Sequence, residues 1–121
     1  MFSKHLDDCL EITAGDGSIL REILHPGKAD LQIRYSLAHA KVEVGRKTKP
    51  HKLRTCEVYY IISGHGVMHI DDQSFWVEPD CTVYIPKNSV QYIENTGKSV
   101  LKFLCIVDPP WKKEDEEVFD H

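Results

Sequence analysis

The sequence predicts an all-β fold, a barrel or a sandwich of sheets. Three observations lead there. Short runs rich in β-branched and aromatic residues recur along the chain. Gly, Pro, Asn and Asp punctuate them at close, regular spacing. Hardly any segment carries a helical period of apolar residues. Many short strands joined by tight turns are the signature of a sandwich or barrel.

The elements follow in order. Residues 1–10 are of mixed character, a turn of helix or a frayed end. Glu11-Ile12-Thr13 and residues 18–24 flank Ala14-Gly15-Asp16-Gly17. Asp-Gly between two β-like runs is a hairpin signal. His25-Pro26-Gly27-Lys28 makes a second turn. Residues 31–44 alternate, with Ala38, Ala40, Val42 and Val44 on one face and His39, Lys41 and Glu43 on the other. That pattern predicts a strand with one buried face and places His39 in solvent or at a subunit contact.

A basic loop, Arg46 to Arg54, leads into the strand at 58–62, which Ser63-Gly64-His65-Gly66 ends. Strands are predicted at 67–70, 74–77, 81–85, 90–94 and 100–107. Pro86 closes the third of these, because proline cannot donate to a ladder. Asp108-Pro109-Pro110 closes the last. The charged tail 111–121 reads as a short helix, an ordered arm or a solvated end, with Trp111 packed on the body.

Bulk composition narrows the function. With 121 residues the chain makes one domain. Its expected parts are N-terminal strands at 1–30, a core at 31–107 and a tail at 108–121. Hydrophobic residues are 41% and charged residues 28%, as in an ordinary soluble protein. A net charge of −4 argues against nucleic-acid binding. No segment approaches transmembrane length and no secretory leader is recognised, so a cytoplasmic protein is expected. Cys9, Cys56, Cys81 and Cys105 are scattered and read as reduced thiols, two or more of them buried.

The chemistry gathers between Gly45 and Gly64, GRKTKPHKLRTCEVYYIISG. Residues two apart on a strand share a face, so His51 and Leu53 point one way and Glu57 can join them after a turn. A His and a Glu aimed at one point are metal-ligand or acid–base groups. The spacing is Gly45, five residues, His51, one, Leu53, three, Glu57, six, Gly64. A second stretch, DCTVYIPKNSVQYIEN, runs Asp80, five residues, Pro86, one, Asn88, two, Gln91, three, Asn95.

In this spacing the two stretches resemble the paired motifs of the cupin family. Leu53 and Gln91 stand where that family usually has His, and Asp80 and Asn88 where it usually has Gly. The resemblance covers residues 31 to 107 and implies a jelly-roll barrel, the double-stranded β-helix of cupins. It places His51, Glu57 and Gln91 on metal-ligand positions and Leu53 on a fourth that cannot ligate. A divalent ion (Zn, Ni, Mn or Fe) held by one nitrogen and two oxygens would be weakly bound. The alternative is a metal-free cluster of the same three side chains in hydrogen bonds. Both stay open.

Strand parity sends Tyr59 and Ile61 to the face of Glu57, and Leu101, Phe103 and Cys105 inward, with Lys102 in solvent. A pocket lined by Leu53, Tyr59, Phe103 and Cys105 follows. His69 faces away from it. Two classes of function fit. One is a small barrel protein that binds a metal or a small polar ligand. The other is an isomerase, epimerase or lyase moving protons on a sugar, sugar phosphate or oxo-acid, with Glu57 as base and Tyr59 as donor. A dioxygenase is disfavoured, because one His replaces the two or three that iron chemistry uses. The expected partners are a small molecule, anionic if the basic loop draws it in, and a second copy of the chain. Ile12 and the strand over residues 19–24 offer sheet edges for a homodimer. No nucleic-acid or membrane partner is expected.

Overall fold

The computed structural model describes residues 2–119 and is built almost wholly of strands. In chain order these are β1 (Glu11–Thr13), β2 (Ile19–Leu24), β3 (Ser36–Val42), β4 (His51–Leu53), β5 (Cys56–Ser63) and β6 (Gly66–Ile70). They continue as β7 (Gln73–Val77), β8 (Thr82–Ile85), β9 (Gln91–Asn95), β10 (Leu101–Asp108) and β11 (Glu116–Val118). Two single 3₁₀ turns, Leu6–Asp8 and Lys113–Asp115, are the only helical pieces among the described residues. Among these residues no helix is long and apolar enough to cross a membrane.

The strands form two antiparallel sheets, ordered β1-β2-β3-β10-β5-β8 and β11-β4-β9-β6-β7. Their inner faces meet in a jelly roll. Alternation in β5 and β10 sends Glu57, Tyr59, Ile61, Leu101, Phe103, Cys105 and Val107 inward, as parity predicted. Phe103, Ile61, Met68, Ile85, Ile93 and Leu101 are fully buried and form the heart of the core. Burying a side chain of this size contributes about 1.5–3 kcal/mol each.

The two positions where Asp80 and Asn88 replace glycine both carry positive φ, 74° and 65°. The turns demand left-handed backbone there. Asp and Asn are the side chains that tolerate it best after glycine, so the turns survive the replacement.

Two expectations need correction, and a third chose among alternatives. The strand expected over residues 31–44 is shorter, Ser36–Val42, and Val44 is exposed. The chain leaves the sheet there for the Gly45 turn, whose φ is 76°. His39 is not in solvent. It is buried between Arg21 and Leu104 of the flanking strands. Burial, then the charges of Lys102, Lys41 and Arg21, hold its pKa below the ordinary value.

The tail is the third case. Of the three readings offered for it, the ordered arm is the one observed: β11 pairs with β4 and sets Glu116 opposite Leu53 and Val118 opposite His51. Its approach is anchored by the Trp111 N–H donating to Ser36 Oγ at 2.9 Å. His25 Nε2 donates to the Trp111 carbonyl at 2.8 Å.

Candidate functional site

The inner faces of the two sheets enclose a cavity of about 490 Å³. Leu53, Phe103 and Cys105 give it apolar walls, and Glu57 and His51 open onto it. The structure therefore brings together the residues predicted to line a pocket. It also adds two that sequence reasoning missed, Asp16 and Glu116. Asp16 arrives from the β1–β2 turn and Glu116 from the tail. The Asp-Gly dipeptide signalled the turn but not its position over the lumen.

Two hydrogen-bonded sets divide the polar end of the cavity. The first centres on Glu57. Gln91 Nε2, from the opposite sheet, donates to Glu57 Oε1 at 2.9 Å, and the Tyr59 hydroxyl donates to Gln91 Oε1 at 3.0 Å. Tyr59 packs on Phe103 with ring centroids 4.5 Å apart. Glu57 is walled off from bulk water, and this burial pushes its pKa up to about 8. The nearby charges of Asp16 and Glu116 raise it further, while the Gln91 bond pulls it down. Tyr59 is driven well above its ordinary value by burial and then by Glu57. Its proton is committed to Gln91, so Tyr59 orients the amide rather than serving as a free donor.

The second set centres on His51, which abuts the first because His51 and Gln91 are paired across β4 and β9. His51 Nδ1 lies 2.8 Å from the Lys49 carbonyl. A carbonyl only accepts, so Nδ1 carries a proton and donates it there, which turns Nε2 toward Asp16. That nitrogen faces Asp16 Oδ2 at 3.7 Å, beyond hydrogen-bond length. Asp16 is held by Ser18, whose N–H and hydroxyl donate to its Oδ1 at 3.0 and 2.7 Å. Glu116 completes the set. Burial raises its pKa first, the His51 charge lowers it, Asp16 raises it again, and a side-chain hydrogen bond with Trp111 lowers it.

The other candidates are placed as follows. Cys105 lines the wall, with its thiol pKa raised by burial and then by Glu57, which makes it a poor nucleophile. His69 lies on the outer face, as expected, stacked on Tyr92 and hydrogen-bonded to Ser74 and Glu94. From the basic loop, Arg46, Lys47, Lys49, Lys52 and Arg54 are all absent from the cavity lining. Lys52 instead lies 3.6 Å from Glu117 on the exposed surface, and Lys47 lies over the Tyr92 ring. The loop does not present a cationic mouth to an anion.

The donor set does not fit a divalent ion. It offers one imidazole, one carboxyl already taken up by Gln91, and an amide spent on Glu57 and Tyr59. Among the described residues no three or more His, Cys, Asp or Glu side chains are grouped to hold a metal. Ligation by Gln91 would break the bond that orients it.

The chain matches the family model of the cupin domain over residues 38–107. It is 45% identical over 106 residues to an uncharacterized protein of Methanocaldococcus jannaschii, an alignment covering 87% of this chain and 84% of that one. A Streptomyces protein, PAC13, solved with uridine, superimposes with a TM-score of 0.79 at 15% identity, covering 99% of this chain and 92% of that one. The polyketide cyclase RemF of Streptomyces resistomycificus does so with a TM-score of 0.76 at 20% identity, covering 95% and 89%. At such identities the two structures share the fold alone. Asp16 and Glu116 lie outside the stretch that the family model matches, while His51, Glu57 and Gln91 lie within it. The jelly roll, the two spaced motifs and the match over most of the chain agree, and the chain belongs to the cupin domain family.

Proposed function

We propose that the lumen is a small-molecule site in which Glu57 exchanges a proton with an enclosed polar ligand. The reaction class is isomerisation, epimerisation or elimination next to a carbonyl, on a sugar or oxo-acid skeleton. One observation carries the reading. Glu57 is a buried carboxyl that opens onto a cavity of about 490 Å³ and keeps its proton to about pH 8. A carboxyl poised near neutral pH in an apolar enclosure is what general acid–base chemistry requires. Gln91 and Tyr59 fix its orientation, and Phe103 and Leu53 exclude water around it.

The ionised form takes the proton from carbon and the protonated form returns it to the neighbouring atom. A single carboxyl on one face of a planar intermediate suffices for both steps of an isomerisation; in an elimination its proton goes to the leaving group, and an epimerisation takes its second proton from water on the opposite face. The exchange is measured by proton NMR in heavy water, with glyceraldehyde, dihydroxyacetone, pyruvate and 2-oxobutyrate as probes. The expected result is loss of carbon-bound proton signals above the buffer rate, rising through about pH 8 as Glu57 ionises. Glu57→Gln should abolish it. Equal exchange by Glu57→Gln would place the proton transfer elsewhere. Binding without exchange would reduce the site to a binding module.

A further inference from the structure

Four carboxyl side chains line the cavity, Asp16, Glu22, Glu57 and Glu116, against three basic ones, Lys28, His51 and Lys113. How they pair decides what charge the lumen accepts. Lys28 Nζ is bonded to Glu22 Oε1 at 2.7 Å, and its side chain is 67% exposed. Lys113 is exposed too, and its 3₁₀ turn continues into Glu114 and Asp115. Charges so open to water hold a partner ion only weakly.

The shielded end holds His51, Asp16, Glu116 and Glu57. His51 faces Asp16 across 3.7 Å as an ion pair, both side chains nearly out of solvent. Glu116 leans in from the tail, hydrogen-bonded with the Trp111 side chain, and a Cβ on Gly15 would lie 3.3 Å from its Oε1. His51 is the one member of the four that can carry positive charge. A cationic imidazole holds the carboxylate it faces in the ionised form, so that charge is matched by Asp16. A neutral imidazole leaves Asp16 unmatched. Glu116 then adds a negative charge or none. Whichever state His51 takes, this end carries no net positive charge.

The neighbouring groups respond to the same sign. Burial raises the pKa values of Glu57, Tyr59 and Cys105 first. Carboxyls around the lumen raise all three further, and only the Gln91 bond to Glu57 acts the other way. A substrate carboxylate or phosphate brought here meets like charge away from water. A hydroxyl group brings no charge and donates to a carboxylate in a short, charge-assisted bond. Sugars carry several hydroxyls beside a carbonyl.

We infer that the lumen takes an uncharged polyhydroxy aldehyde or ketone, a neutral sugar, and that Asp16 and Glu116 turn oxo-acids and sugar phosphates away. The inference rests on the reading of the lumen as a proton-transfer site and chooses among the substrates that reading left open. The two selecting residues come from the β1–β2 turn and the tail, outside residues 38–107 that match the cupin model. The barrel supplies Glu57, and the added segments set the charge of what reaches it. The anionic ligand expected from the basic loop is set aside.

The test uses pairs of probes that share a carbon skeleton and differ in charge: dihydroxyacetone with its phosphate, and D-glucose with D-glucuronate. Each is titrated at pH 7 into the isotope-labelled full chain while backbone amide shifts are followed, and carbon-bound proton exchange is read in heavy water. The neutral member of a pair should move the amides of Asp16, His51 and Glu116 and bind at least about tenfold more tightly than the anionic one. Glu116→Gln keeps an oxygen for Trp111 and removes the charge, so it should narrow that gap by about threefold or more, as should Asp16→Asn. Amides outside the lumen show that each variant is folded. Equal or tighter binding of the anions, or a gap that neither variant narrows, overturns the charge selection while leaving the proton-transfer reading in place. Preferred binding of the neutral sugars without exchange upholds the selection and removes the proton transfer. If no probe moves any lumen amide, both fall together.

Discussion

Gln91 and Glu57 join the two sheets across the lumen: the amide of β9 donates to the carboxyl of β5 at 2.9 Å. The bond does two things at once. It holds Glu57 toward the cavity, and it moderates a pKa that burial alone would carry higher. The amide oxygen is tied in turn to the Tyr59 hydroxyl at 3.0 Å.

Gln91→Leu should therefore act on structure and titration together. The buried Glu57 and Tyr59 both lose a partner, which costs about 1–3 kcal/mol per unsatisfied group. The Glu57 pKa should rise above about 8, since the stabilising bond to its charged form is gone. Carbon-13 NMR of the Glu57 carboxyl across pH 5–10 reads the shift, and urea unfolding reads the stability. A lowered pKa in this variant would contradict the assigned direction.

Stability itself should fall with rising pH. The folded Glu57 binds its proton up to about pH 8, whereas the unfolded chain releases it near the ordinary value of 4.5. The folded state thus holds more protons between those values, and the slope of unfolding free energy against pH is negative. The Glu57 contribution is fully present below 4.5, is lost as pH rises through 8, and is level above. Glu57→Gln should flatten the profile and be more stable than the parent at pH 9. Chemical denaturation at pH 5, 7 and 9 gives the comparison.

Leu53→His should create the ion site that the native donors do not make. Leu53 shares the lumen face of β4 with His51, both buried and two residues apart on the same side. A second imidazole there should tighten Zn²⁺ binding by about tenfold or more over the parent, measured by calorimetric titration. Without metal the variant should lose about 1–3 kcal/mol, the cost of a buried polar group without a partner. Unchanged zinc affinity would show that position 53 does not converge with His51.

A homodimer is the expected assembly. Strand β1 is exposed along its whole length at the edge of its sheet, and Leu10 and Ile12 stand in solvent, 80% and 45% exposed. An apolar open edge invites a partner strand. Light scattering at micromolar concentration should give twice the chain mass, and Leu10→Asp with Ile12→Asp should give the chain mass. A parent that stays monomeric would exclude assembly through this edge.

Much of the fold was legible because side-chain alternation is a local property of strands. The pattern at residues 57–61 and 101–107 is enough to place Glu57, Tyr59, Phe103 and Cys105 on inner faces, and the structure has them there. Motif spacing likewise located His51 and Gln91, which lie side by side across β4 and β9. The left-handed turns at Asp80 and Asn88 were implied by the positions those residues fill. Tertiary structure alone decided the rest. Asp16 and Glu116 are 100 residues apart in sequence, and no periodicity records that a hairpin turn and a tail will close over one cavity. The proton of Glu57 depends on depth from water, and the orientation of His51 depends on one backbone carbonyl at 2.8 Å. Burial and hydrogen bonding are properties of the packed chain, so the acid at the centre of the site and the contacts of its neighbours emerge only when both sheets are in place.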